Sequence, residues 1–232
     1  MITKTDDHIC DFKRGRFWHT FEYLENSLIE ASKYVTIDPR NKDTWSEALA
    51  TLLVLNCNAV DTFFRNMIFC PNIRNNEIFK KINKPEKKKD WYITHFQKII
   101  EPIHELSENT IDVPFGLGAG QKITPFKDFS SKTPEWWNAY NHVKHDYYES
   151  ITEAKLSNVI NSLGALLILH ALHRCSSIYL INQNRILSEW NLSKSGAFNA
   201  CNSDIGIINR FSGFPFYIIT KIFVFKYRFE SG

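Results

Sequence analysis

Apolar residues recur at intervals of three and four through most of the first 190 residues, a spacing typical of amphipathic helices. The strongest stripe lies in 44–70, and a second one occupies 17–35. Thr44, followed three residues later by Glu47, predicts a capping box at the start of the stronger stripe, and Pro71 marks its end. These two segments are therefore expected to form two amphipathic helices.

Three further helices are predicted after that pair. One follows a lysine-rich segment within 78–106, another begins at Pro134, and a third runs from Thr152 to Asn182. Glycines and prolines interrupt the pattern in 107–133, which predicts a long loop with room for a short hairpin. Because strand–helix alternation and glycine-rich phosphate loops do not occur in 1–190, we expect an all-α domain there, an antiparallel bundle of four to five helices.

The last apolar stretch, 213–229, is different in kind. It is rich in β-branched and aromatic residues, and Phe223 and Phe225 alternate with Val224 and Lys226, which is the period of a strand. A helix packed on the bundle, or a segment lying on a partner, fits the composition as well. We therefore treat 191–232 as an apolar C-terminal appendage that needs a covering surface.

Composition places the chain among soluble globular proteins, with 44% apolar and 23% charged residues. The net charge of +3 is too small for a chain-wide nucleic-acid footprint. Five cysteines without Cys-x-x-Cys or Cys/His spacing argue against disulfides and structural zinc, so we expect a reducing cytoplasm, no metal and no cofactor. The N-terminus lacks a signal-peptide core, and no apolar run approaches the ~20 residues of a transmembrane helix.

The segment from Trp136 to Tyr148 (WWNAYNHVKHDYY) carries the most chemistry. At helical spacing, its apolar stripe consists of Trp136, Tyr140, Val143 and Tyr147, and its semi-polar stripe of Trp137, Asn141, His145 and Tyr148. His145 can act as acid or base near neutrality. Asn141, four residues before it, can orient it by a hydrogen bond or hold a phosphate oxygen, and Lys144 can supply a cation to a developing phosphorane charge. A histidine closing an interhelical contact is the structural alternative.

Cleavage of RNA is the reaction that fits such a strip best. The 2′-hydroxyl of the substrate is already the nucleophile, so the protein needs an acid, a base and cation support, and no metal. No nucleophilic serine or cysteine is paired with His145 in the sequence, and no second carboxylate suits glycosidase chemistry.

The run YNHVKHD, residues 140–146, resembles the motif of HEPN domains (higher eukaryotes and prokaryotes nucleotide-binding). The resemblance implies an all-α, usually dimeric protein that in many members is a metal-independent ribonuclease, here similar to defence or toxin components. In the family motif an arginine precedes a polar residue and a histidine. Asn141 and His145 match the polar and histidine positions, whereas Tyr140 stands at the arginine position.

Arg65 offers one replacement for that arginine. Asn58, Asp61 and Arg65 share a face of the second predicted helix, and we hypothesise that Asp61 orients His145 or Lys144 while Arg65 supplies the missing cation. The alternative is an ordinary ion pair between Asp61 and Arg65, four residues apart.

A basic segment precedes the third predicted helix. Residues 80–89 contain six lysines, among them Lys87, Lys88 and Lys89, and a basic segment attracts a phosphate backbone. Trp91 and Tyr92 follow directly and are predicted to stack on unpaired bases. A solvated loop is the alternative.

Three classes of function therefore remain open. The first is a HEPN-type ribonuclease acting as a homodimer, with His145 of each subunit at one cleft. The second is an inactive HEPN-like module that binds nucleotide, RNA or a partner protein, which the tyrosine at position 140 favours. The third is a structural helical protein whose aromatic surface and tail form an interface.

Overall fold

The computed structural model describes residues 15–82, 90–113, 121–183, 185–188 and 215–228. The predominantly helical fold predicted from the sequence is confirmed. The α-helices in the described part are α1 (Arg16–Ser32), α2 (Glu47–Met67), α3 (Pro71–Arg74), α4 (Glu77–Lys81), α5 (Ile93–His104), α6 (Glu135–His145), α7 (Tyr147–Ser150), α8 (Leu156–Leu172) and α9 (Arg174–Asn182).

Helix α2 starts two residues later than the capping signal predicted. Ser46, in an extended conformation, is the N-cap, and its hydroxyl accepts a hydrogen bond from the Leu49 N–H at 3.2 Å. Glu47 therefore lies in the first turn, where a carboxylate favours the positive end of the helix dipole. The helix ends at Met67, ahead of Pro71 as expected.

Helix α8 lies at the centre of the helical part and packs on α1, α2 and α6. Leucine, isoleucine, valine and alanine side chains of α8 point to every side of the helix. All residues of α8 except Ser157 and Asn161 are buried. A helix that is apolar all round has no face suited to water, so the other helices cover it.

The single helix predicted for Thr152–Asn182 is broken at His173. The axes of Leu156–Leu172 and Ser176–Asn182 differ by 84°. His173 has an extended backbone, and its ring Nδ1 accepts a hydrogen bond from the Ser176 N–H at 3.3 Å, so the histidine caps α9.

A five-stranded antiparallel sheet accompanies the helices. Its strands are β1 (Ile111–Val113), β2 (Gln121–Ile123), β3 (Ile186–Ser188), β4 (Pro215–Ile219) and β5 (Val224–Arg228), in the order β2-β1-β5-β4-β3. The 107–133 segment therefore holds the short pair of strands for which the sequence left room. The strand-like alternation of the tail is also realised in β4 and β5.

The tail strands belong to the same hydrophobic core as the helices. Phe223 and Phe225 are fully buried, and the Glu25 carboxylate of α1, itself buried, accepts a hydrogen bond from the Ile222 N–H at 3.0 Å. The boundary predicted at residue 190 lies outside the described residues and stays a prediction. The strands on its two sides, β3 and β4, are nonetheless neighbours in one sheet.

Gly164 of α8 lets the sheet approach the central helix. A Cβ at this position would lie 2.9 Å from Ile123 Cδ1 and 3.2 Å from Pro125 Cγ, which is closer than ordinary contact. The absence of a side chain thus allows β1 and β2 to pack on α8.

One described helix, α2, is long and apolar enough to cross a membrane. Half of its most apolar 18-residue stretch is buried inside the protein. The burial is that of a core helix, since α2 packs on α1, α6 and α8.

Candidate functional site

The strip from Trp136 to Tyr148 occupies α6 and the start of α7. Trp136, Tyr140 and Val143 are buried as predicted. Tyr147 was assigned to the same stripe but is 38% exposed, because the chain leaves helical geometry at Asp146 (φ −143°, ψ 79°) and α7 starts in a new direction.

Lys144 is bonded to Tyr140, and Tyr140 is bonded in turn to Asn58, a contact that the sequence did not predict. Its ammonium donates a hydrogen bond to the Tyr140 hydroxyl at 3.1 Å and lies 5.2 Å from the centre of the Tyr140 ring. The same hydroxyl donates to Asn58 Oδ1 of α2 at 2.8 Å. The Tyr140 phenol therefore binds a cation supplied one turn later in the same helix.

His145 is exposed and is the last residue of α6. Asn141, one turn earlier, is half-buried. Within the ranges that the structure describes, His145 forms neither a hydrogen bond nor an ion pair, so its ring is accessible to a ligand. The hydrogen bond expected between Asn141 and His145 is not formed.

Asp61 and Arg65 form the ion pair that was the alternative to a catalytic role. Arg65 Nε lies 2.6 Å from Asp61 Oδ2, and Arg65 Nη2 donates to the Trp91 carbonyl at 2.7 Å. The guanidinium also lies 6.0 Å from the Phe96 ring. No described contact joins Asp61 to His145 or Lys144, so the orienting hydrogen bond of the sequence hypothesis is not formed.

The second histidine of α6, His142, faces solvent as predicted. Its Nδ1 lies 2.8 Å from the Glu153 carboxylate. His142 and His145 are thus two exposed histidines on one helix, of which one has an acidic partner.

The predicted RNA-binding segment is only partly described. Lys87, Lys88 and Lys89 lie outside the described residues. Trp91 is 5% exposed and packs parallel to Phe79 and Phe96, with both ring centres 6.3 Å away. A base cannot stack on a ring whose faces are covered, so of the two predicted platforms Tyr92, at 61% exposure, is the accessible one.

A cluster of buried titratable groups surrounds the break between α8 and α9. The sequence showed His170 and His173 three residues apart, but it had no signal for the partners that the fold gives them, Cys70 and Ser176. Cys70 Sγ lies 3.0 Å from His173 Nε2, across 103 residues of sequence, and His170 Nδ1 lies 2.6 Å from Ser176 Oγ. Burial lowers the pKa of His170 and of His173 to about 3, and that of the nearby His104 to about 4.

These groups are suited to structure and not to nucleophilic chemistry. A neutral histidine cannot stabilise a Cys70 thiolate as an imidazolium would. Burial raises the pKa of the other described thiol, Cys57, well above its usual value. In the part of the chain that the structure describes, no group of three or more His, Cys, Asp or Glu side chains is arranged to hold a metal ion.

A polar cleft of about 440 Å³ opens at the other end of α6. Lys127, Lys132, Asp128 and Glu135 contribute two charges of each sign to its lining, and the asparagines of α8 contribute amides. Because the charges balance, the cleft has no preference for an anion or a cation.

Comparisons with protein-family models, with curated proteins and with solved structures give no match. The site is therefore interpreted from its own geometry.

Proposed function

We propose that the protein is a HEPN-like module that cleaves RNA without a metal ion, with His145 as acid/base and Lys144 as the cation. The observation that carries this proposal is that the last turn of α6 presents an exposed histidine, which forms no hydrogen bond among the described residues, together with a lysine bonded to the Tyr140 hydroxyl. The reaction requires an accessible imidazole and a positive charge that can reach the same phosphate.

The chemistry uses the ribose of the substrate. Neutral His145 removes the proton of the 2′-hydroxyl, the 2′ oxygen attacks the adjacent phosphorus, and the bond to the 5′ oxygen breaks. The leaving 5′ oxygen takes a proton from a histidinium, for which a second copy of the chain supplies its own His145. The products are a 2′,3′-cyclic phosphate and a 5′-hydroxyl, and Lys144 stabilises the charge that develops on phosphorus-bound oxygen.

The geometry favours Lys144 over Arg65 as the cation. Arg65 is already bonded to Asp61 and to the Trp91 carbonyl, and moving it to the phosphate would break both contacts. Lys144 needs no such rearrangement, because its ammonium has three donors and the bond to the Tyr140 hydroxyl uses only one of them. We retain Asn141 as a ligand of a phosphate oxygen in this proposal.

One observation favours the alternative, a module that binds RNA or a partner without cleaving it. No described residue orients His145, and catalytic histidines are generally held by a third group. A homodimer would have to provide that group. We place either form of the protein in the cytoplasm, which suits the reduced thiols Cys57 and Cys70.

The test is cleavage of a mixed RNA by the purified protein in excess EDTA. We expect the wild type to cleave and His145→Ala to lose cleavage, while His142→Ala, the exposed histidine on the same helix, retains it. Equal loss in both variants would assign the effect to α6 stability. A wild type that binds RNA and leaves it intact would establish the alternative.

Lys144→Gln tests the cation separately. Loss of a preorganised charge at the developing oxyanion typically costs about 100-fold in rate, so we expect a decrease of that order. Lys155→Gln, at a half-buried lysine that pairs with Asp43, is the control. An unchanged rate for Lys144→Gln would remove Lys144 from the mechanism.

A further inference from the structure

A groove of about 280 Å³ lies between α1 and α2, and its lining includes Asn58, the residue bonded to the Tyr140 hydroxyl. Its apolar walls are Phe17, Leu55, Ala59 and Leu166, and three polar side chains also line it: Thr20 of α1 and Asn58 and Thr62 of α2. Leu55 is 40% exposed, so its side chain is accessible to a ligand in the groove. Apolar walls with a few polar groups are the usual form of a small-ligand site.

Asn58 joins this groove to Lys144. An ammonium group only donates hydrogen bonds. The Tyr140 oxygen therefore accepts one from Lys144, and the Tyr140 hydroxyl donates one to Asn58 Oδ1. That assignment fixes the Asn58 amide and leaves its NH₂ group as the donor. None of the described residues accepts a hydrogen bond from it.

We propose that the groove binds an unpaired nucleobase of the RNA, whose phosphate lies at Lys144. The inference rests on the proposed function and adds the substrate class, RNA with a single-stranded segment. A base has flat apolar faces for Leu55 and Leu166 and ring acceptors for the Asn58 NH₂ group. Its phosphate carries the charge that complements the ammonium two hydrogen bonds away. A base inside a duplex has both faces stacked and does not fit.

The test adds uridine monophosphate or ribose 5-phosphate to the full chain and measures the shifts of the amide signals in ¹H–¹⁵N spectra. The nucleotide is expected to shift the signals of Leu55, Ala59 and Thr62, whereas ribose 5-phosphate leaves them in place. Thr62→Trp fills the groove, and because its side chain leans towards Asn58 one turn earlier, it also covers the Asn58 amide; it is expected to weaken uridine monophosphate binding about tenfold. Thr51→Trp, at another exposed threonine of α2, is the control, because helical side chains lean towards the N-terminus and away from the groove.

Three results would overturn the inference. One is equal shifts of the groove signals with both probes, and a second is a Thr62→Trp affinity equal to that of the control. The third is a shift of the same signals on concentrating the protein without nucleotide, which would assign the groove to a second copy of the chain.

The inference and the proposed function fail separately. If uridine monophosphate binds in the groove but the protein does not cleave RNA, only the proposed catalysis is refuted. RNA cleavage that requires His145 and proceeds at the wild-type rate in Thr62→Trp would refute only the proposal that the groove binds a base.

Discussion

The buried histidines predict a steep loss of stability in weak acid. His170 and His173 are 0% and 3% exposed, and desolvation lowers the pKa of each to about 3 from an ordinary 6.5. The folded state therefore stays unprotonated at both rings between about pH 6.5 and 3, while the unfolded chain binds protons there. Because the unfolded state binds more protons, the free energy of unfolding decreases as the pH falls through that window.

The magnitude follows from the width of the window. At about pH 5, the pH is about one and a half units below the pKa of a histidine in the unfolded chain. Each of the two histidines then lowers the free energy of unfolding by about 2 kcal/mol, or about 4 kcal/mol for the pair. This is a large part of the ~5–15 kcal/mol that holds a domain folded. Urea unfolding followed by tryptophan fluorescence at about pH 7.5 and pH 5 measures the difference.

His173→Asn isolates one of the two titrations. Asparagine retains a side-chain oxygen that can cap α9, so the variant removes the ring without removing the cap. We expect the stability difference between the two pH values to shrink by about 2 kcal/mol. His19→Asn, at an exposed histidine of α1, is expected to leave the difference unchanged. An unchanged difference in His173→Asn would show that the ring is protonated in the folded protein and would refute the argument.

Two further predictions concern the contacts between sheet and helices, and urea unfolding checks both. Glu25→Ala should lower the free energy of unfolding by about 1–3 kcal/mol, because it leaves the buried Ile222 N–H without an acceptor, whereas Glu25→Gln keeps an acceptor and should cost less. Equal losses in the two variants would show that the hydrogen bond contributes little. Gly164→Leu should destabilise by about 1–3 kcal/mol or more, since the side chain must displace Ile123, and a stability equal to wild type would show that the sheet can withdraw from α8.

Helices could be predicted because their signal is local. The apolar stripes of α1 and α2 and the buried face of α6 follow from residues three and four apart, and Pro71 ends its pattern regardless of its surroundings. The predicted ends of helices were wrong where two local signals competed. Ser46 and not Thr44 caps α2, and the imidazole of His173 interrupts what composition made a continuous helix.

The candidate site could be predicted only in part. His145 and Lys144 were identified because they are close in sequence within one helix. The partner of Lys144 was visible in the motif as the tyrosine at the arginine position, yet its bond to Asn58 spans 82 residues and has no sequence signal. Asp61 could be matched with Arg65 by spacing, but the carbonyl of Trp91 that also holds Arg65 could not.

The sequence by itself determined the helices, their apolar faces and the residues that crowd the end of α6, because each depends on neighbours within about one turn. Tertiary structure alone decided that Trp91 is covered and that Cys70 meets His173. It also decided that β1 pairs with β5, setting Ile111 opposite Phe225. These contacts join segments far apart along the chain. Their partners are selected by packing and by the satisfaction of buried polar groups, which no local pattern encodes.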